Sequence, residues 1–185
     1  MDVQDARLPG VLVIEPVTHG DARGFFRELY RESVLRDAGL DVRFVQENHS
    51  RSARGVVRGL HLQVGQGQGK LVRCASGSIM DVVVDVRRES PTFGQWESFV
   101  LDDETGRSVY CPVGYAHGFA VLSEMADVIY MCTSYYAPDD ERVVAYDDPD
   151  IGIAWPGGEH IVSAQDRAGR PLREVIDQIH FDAPA

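Results

Sequence analysis

The chain has 185 residues and a formal net charge of −11, with 44% apolar and 25% charged residues. That length carries one domain with a real core, not two of ordinary size, and the composition excludes a disordered chain. The acidic balance argues against nucleic acid as a main partner, because no net basic field is available to displace counterions. No run approaches the roughly 20 apolar residues that a membrane helix needs, so no membrane partner is expected.

The opening MDVQDARLPG has neither the basic start nor the apolar stretch of a signal peptide, so a cytoplasmic location is expected. His19-Gly20-Asp21 reads as a turn. Asp21-x-Arg23-Gly24 then opens a set of arginines and amides that continues with Gln46, Asn48 and Arg58. Such groups clamp phosphate bidentately or read sugar and phosphate oxygens. The clearest helix is predicted over 31–38, with Gly39 as its C-terminal stop. In VVRGLHLQ, alternation puts Gly59, His61 and Gln63 on one face and Arg58 on the other. A bulge at Gly59 is therefore required to bring Arg58 and His61 into one cleft.

GQGQGK reads as a hairpin turn, which would place His61 and Lys70 on adjacent strands. From Met80 to Arg87, Val82, Val84 and Val86 share one face, and Asp81, Val83, Asp85 and Arg87 the other. Val128 to Tyr135 is β-branched and aromatic, hence a strand, with Tyr130 and Tyr136 on one parity. Further turns fall at Ser90-Pro91, Asp102 to Gly106, Pro138-Asp139 and Gly157-Gly158. The tail from about 157 to 185 is polar and is expected at the periphery, with a short helix near 172–179. Many short strands with frequent turns predict an all-β jelly-roll barrel or sandwich with a few short helices, as one domain over 1–185.

The chemistry concentrates on a few positions. Cys74, Cys111 and Cys132 stand far apart, with no CxxC, which fits a reducing compartment rather than a disulfide framework or a zinc site. Gly106, Pro112, Gly114 and His117 have the spacing of the second histidine motif of cupins, although Val121 replaces its terminal Asn. The first motif, His-x-His with a following Glu, is reduced to His61-Leu62-Gln63. Two histidines without the remaining ligands make a poor metal site, so neither metal nor cofactor is expected.

A metal-free His61 inside a barrel suits general base work. Lys and Arg together number 18, and only one of them, Lys70, is a lysine. A compact ammonium beside a base is what proton abstraction next to a carbonyl needs, since it stabilises the developing enolate oxygen. Tyr130 is a candidate acid. Plainer readings stand beside these. A lone strand histidine is more often a hydrogen-bonded core residue, a glycine run is often only a turn, and strand tyrosines mostly pack.

Several blocks carry a resemblance: GDARGFF (20–26), FVQENHS (44–50), VVRGLHLQ (56–63), GKLVRCASG (69–77), DVVVDVRRESPTFGQW (81–96), PVGYAHGF (112–119), YMCTSYYAPDDE (130–141), DPDIGIAWP (148–156) and SAQD (163–166). In this order, from about Leu8 to Leu172, the chain resembles the dTDP-4-dehydrorhamnose 3,5-epimerase family of cupin-type enzymes. The resemblance implies a cofactor-free homodimer with exchanged N-terminal segments. It implies inversion of C3 and C5 of a dTDP-4-keto-6-deoxyhexose, dTDP-4-dehydro-6-deoxy-D-glucose, through an enolate, to give dTDP-4-dehydro-L-rhamnose.

It further implies His61 as the base, oriented by Asp166, with Lys70 and Arg58 at the enolate oxygen and Tyr130 as the acid on the opposite face. Arg23, Gln46, Asn48, Arg58 and Tyr136 are implied nucleotide contacts, joined by Glu28 and Glu141, and His117 by its place in the barrel motif. Arg23 and Glu28 would reach the neighbouring subunit. Arg27 stands where a third aromatic is common after Phe25-Phe26, which bears on the nucleotide pocket. Two alternatives remain: a mono-epimerase or ketoisomerase on the same nucleotide sugar, and a non-catalytic sugar-binding cupin. The intact set of His61, Lys70, Tyr130 and Asp166 argues against the latter.

Overall fold

In the computed structural model, which describes residues 1–182, the alternating runs become strands of two antiparallel sheets. Along the chain the strands are β1 (Asp2–Asp5), β2 (Leu12–Glu15), β3 (Thr18–Asp21), β4 (Gly24–Arg27), β5 (Gln46–Ala53), β6 (Val57–Gln63), β7 (Lys70–Ser76), β8 (Ser78–Asp85), β9 (Trp96–Asp102), β10 (Ser108–Cys111), β11 (Tyr115–Val121), β12 (Met125–Cys132) and β13 (Glu141–Val143). Helix α1 (Glu32–Asp37) precedes β5, and α2 (Ala164–Arg167) and α3 (Leu172–Val175) follow β13.

One sheet has the order β1-β2-β10-β7-β12-β5 and the other β13-β6-β11-β8-β9, while β3 and β4 form a separate hairpin. This is the all-β jelly roll that the pattern predicts. Among the described residues no helix is long and apolar enough to cross a membrane.

Parity decides which side chains fill which layer. Val83, Phe119, Val72, Cys74 and Val128 meet between the sheets. Val82, Val84 and Val86 point the other way, with Leu60 and Leu62, into a second core that Leu172 and Val175 of α3 complete. The outer face of the longer sheet packs Leu71 and Ile14 against Leu35 of α1. Helix α1 ends where Gly39 adopts φ +90°, as the stop signal predicts.

Three local expectations are corrected. His19 and Gly20 lie within β3, and the turn falls after Asp21. The aromatic strand starts earlier and ends at Cys132, which leaves Tyr135 and Tyr136 on a loop. The glycine-rich run does not close a hairpin, because β6 and β7 belong to different sheets. The run carries the chain from one sheet to the other, and Gly67, at φ +71°, passes so close to Val113 that a Cβ would sit 2.3 Å from its Cγ1. Separately, residues 158–182 lie outside the five-stranded sheet and are tied to it at several points. Ile161 bridges to Val56, Phe181 bridges to Gly65, and the Leu172 N–H donates to Asp148 Oδ2 at 2.6 Å.

Candidate active site

Strand β6 carries the bulge that the parity argument requires. Its partner β11 pairs His117 with His61 and then Phe119 with Arg58, so three steps on β6 face two on β11. Gly59 makes this possible. It has φ +119°, and a Cβ there would lie 2.6 Å from the Gly118 Cα. As a result Arg58 and His61 line the same cavity.

His61 Nε2 lies 2.5 Å from Asp166 Oδ1. Asp166 reaches it from α2, whose first turn is fixed by Ser163: the Ser163 hydroxyl accepts the Asp166 N–H at 3.0 Å. The Gly59 N–H donates to Asp166 Oδ2 at 3.4 Å. Burial alone would raise the Asp166 pKa. The bond from His61, that ring's charge, and the Gly59 and Ser163 bonds outweigh it and hold the carboxyl below its ordinary range. An ionised Asp166 accepts the Nε2 proton and leaves the Nδ1 lone pair of His61 for other work.

Lys70 lines the same cavity as His61 but from the opposite sheet, so the predicted adjacency on neighbouring strands is replaced by a placement across the barrel. Its side chain is buried, and among the described residues no carboxylate lies within ion-pair distance. Burial pulls its pKa below that of an ordinary lysine, against nearby acidic groups that push the other way. Tyr130 packs against the core between the sheets, and burial raises its hydroxyl pKa.

These groups share a chamber of two lobes. The outer lobe, about 330 Å³, is lined by Gln46, Asn48, His61, Lys70, Tyr130, Tyr136 and Glu141 among others. The inner lobe, about 100 Å³, adds Arg58 and His117 to His61, Lys70 and Tyr130. His117 is held by Asp81, with Nε2 2.7 Å from Oδ2. Arg23 and Glu28 do not reach the chamber. Arg23 pairs with Asp21 on the β3–β4 hairpin, and Glu28 pairs with Arg31 at 2.5 Å. A larger recess, about 760 Å³, opens between that hairpin and the 103–106 turn. It holds no base–acid pair, and Arg27 there donates to the carbonyl oxygens of Asp103 and Glu104 instead of facing a ligand.

Sequence reasoning missed how the loop over the outer lobe is set. Gln63, noted only as a broken metal motif, donates to the Tyr135 carbonyl at 3.2 Å and accepts the Ala137 N–H at 2.9 Å. Gln46 accepts the Tyr136 N–H at 2.9 Å. Tyr136 therefore reaches the chamber through these amide bonds and not by strand parity. Its hydroxyl donates to Glu141, which also accepts from Gln165. Among the described residues no three His, Cys, Asp or Glu side chains converge as metal ligands.

A jelly roll that sets a His–Asp pair, a buried lysine and a tyrosine around one interior chamber is the architecture of a cupin-type isomerase. The model of the dTDP-4-dehydrorhamnose 3,5-epimerase family matches residues 5–174, and the chain belongs to that family. It is 50% identical over 170 residues to the enzyme of that name from Pseudomonas aeruginosa, covering 91% of this chain and 94% of the other. Among solved structures, it is similar to a dTDP-6-deoxy-D-glucose-3,5-epimerase from Legionella pneumophila in complex with dTDP-4-keto-L-rhamnose. The TM-score is 0.94 and the identity 42%, with 100% and 99% of the two chains covered. A 3'-monoepimerase from Streptomyces bikiniensis in complex with dTDP-quinovose is also similar, at TM-score 0.88 and 39% identity over 94% and 89% of the chains.

Proposed function

We propose that this isomerase inverts C3 and C5 of dTDP-4-dehydro-6-deoxy-D-glucose, giving dTDP-4-dehydro-L-rhamnose. The observation that carries the reading is the His61–Asp166 pair in one chamber with Lys70 and Tyr130. The 4-keto group acidifies the protons on the two flanking carbons. His61, held by Asp166, takes the proton, and its imidazolium is stabilised by that carboxylate. The electrons pass to the carbonyl oxygen, where the Lys70 ammonium and the Arg58 guanidinium stabilise the enolate. Tyr130 returns a proton to the other face of the carbon, which inverts it. No step in this scheme calls for a metal or cofactor.

Gln46, Asn48, Arg58, Tyr136, Glu141 and His117 are the proposed nucleotide-sugar contacts on this chain. Arg23 and Glu28 are proposed to serve the site of a second copy, in a homodimer that exchanges its N-terminal hairpins. Their distance from their own chamber supports this. The three cysteines are buried and unpaired, which fits a cytoplasmic enzyme.

Incubation with the 4-keto sugar nucleotide in deuterium oxide tests the reaction. Deuterium at both C3 and C5 is expected. Deuterium at one carbon alone would make the enzyme a mono-epimerase, the reading favoured by its likeness to the Streptomyces bikiniensis structure. Deuterium at neither carbon would overturn both.

A further inference from the structure

We propose that Asp81 is a positioning residue of this chamber, whose buried carboxylate orients His117 and balances the charge of the Lys70 ammonium. Asp81 lies on β8 opposite Phe119 of β11 and is fully buried, at 0% exposure. Its Oδ2 lies 2.7 Å from His117 Nε2. Its Oδ1 is buried and has no hydrogen-bond partner among the described residues. A buried carboxylate with an unsatisfied oxygen is costly, and packing alone would be served better by an apolar side chain. Asp81 therefore needs a role for its charge.

Strand parity points to that role. Asp81 shares its face with Val83, which packs between the sheets, so it is aimed at the six-stranded sheet. Lys70 comes inward from that sheet with the parity of Val72 and Cys74. The cross-strand neighbours of Lys70 are Cys111 and Cys132. Burial pushes the Cys111 thiol up to about 12 and raises that of Cys132. Thiols raised in this way stay uncharged over more of the pH range, which makes them poor counter-charges for the ammonium.

The remaining acidic groups that act on Lys70 are Glu141, the stronger of the two, and Asp81. Glu141, on β13, is half-buried at the chamber wall and is shared by the Tyr136 hydroxyl and the Gln165 amide. Asp81 is dry, so solvent weakens its field less. From the other walls, Arg58 and His61 of β6 and His117 of β11 add positive or ionisable groups, and Tyr130 of β12 stays neutral. Asp81 is thus the one fully buried carboxylate among these groups to offset them.

The catalytic consequence rests on the proposed role of Lys70, but the charge balance does not. Lys70 is the only lysine in the chain, so lysine labelled with carbon-13 at Cε gives a single resonance that reads its ionisation directly. Asp81→Asn keeps the shape and a hydrogen bond to His117 while removing the charge. It should move the Lys70 midpoint down by about one pH unit, the scale of one nearby charge in a partly dry site. The alkaline limb of kcat should move with it, with KM changed little.

An unchanged Lys70 midpoint in folded Asp81→Asn overturns the proposal. Should that variant not fold, the carboxyl carbon-13 shift of Asp81 in the wild-type chain decides. Ionisation throughout the active pH range is expected, and a protonated Asp81 overturns the idea. A moved midpoint in a protein without epimerase activity would leave this inference standing and sink the proposed function instead.

Discussion

Proton transfer and charge stabilisation fall to different side chains in the chamber, and substitutions separate them. His61→Asn removes the base while the 4-keto group still provides the acidity. Turnover should fall by ~10²–10⁴-fold, and more than about a tenth of wild-type activity in a folded variant would remove His61 from the mechanism. Asp166→Asn should cost less, because it disturbs the orientation and basicity of His61 but leaves the ring in place. Lys70→Arg should be severe although it keeps the charge. A guanidinium spreads that charge over a plane and brings volume into a chamber sized for a hexose. Losing one such electrostatic donor costs ~2.7–4 kcal/mol of transition-state stabilisation. Steady-state kinetics should show kcat down by about two to three orders of magnitude with KM changed much less. Near wild-type turnover would hand the enolate to Arg58.

At the scale of elements, the bulge in β6 does what no single side chain can, since it turns two opposite-parity residues toward one cavity. Gly59→Ala meets a left-handed φ and a backbone contact at 2.6 Å together. The strained backbone alone costs ~1–3 kcal/mol, so a lower melting temperature with loss of activity is expected, and an unperturbed melt would show that the bulge tolerates a side chain. That bulge was legible in the sequence, because Arg58 and His61 conflict in parity within one block. The passage of residues 65–69 between sheets was not, since glycine spacing marks a turn without saying which sheet the next strand joins. The His61–Asp166 contact spans 105 positions, and only the family resemblance anticipated it. Asp81 was visible as an acidic residue in a buried strand, but its partner on β11 was not.

Register also explains one pH effect. Asp127 of β12 faces Arg51 of β5 and accepts from its guanidinium and from His49, which together hold its pKa at about 2, below the usual 3.8. A lowered carboxyl pKa stabilises the fold above 3.8, and that contribution fades as pH falls toward about 2. Thermal melts through this range should decline more steeply for the wild type than for Asp127→Asn.

For the whole molecule, the hairpin of β3 and β4 is the part that a single copy leaves unexplained. Phe25 and Phe26 are 64% and 70% exposed, and Arg23 near the tip stands clear of its own chamber. Arg27 pins the base of the arm through the carbonyl oxygens of Asp103 and Glu104, which fixes the direction in which it projects. Two large apolar side chains on an arm pinned at its base fit burial against a second copy. Mixing variants tests whether that copy's site uses the arm. His61→Asn protomers lack the base, and Arg23→Ala protomers lack the arm's cation. In a mixed dimer with exchanged arms, one chamber carries both defects and the other carries neither. Co-refolding equal amounts of the two variants should then restore about a quarter of wild-type activity, since half the dimers are mixed and each holds one intact site. If Arg23 served its own subunit, each chamber would keep one defect and mixing would restore nothing. A different affinity tag on each variant, purified in tandem, separates that outcome from a failure to exchange subunits, because the mixed species must be present for its silence to count.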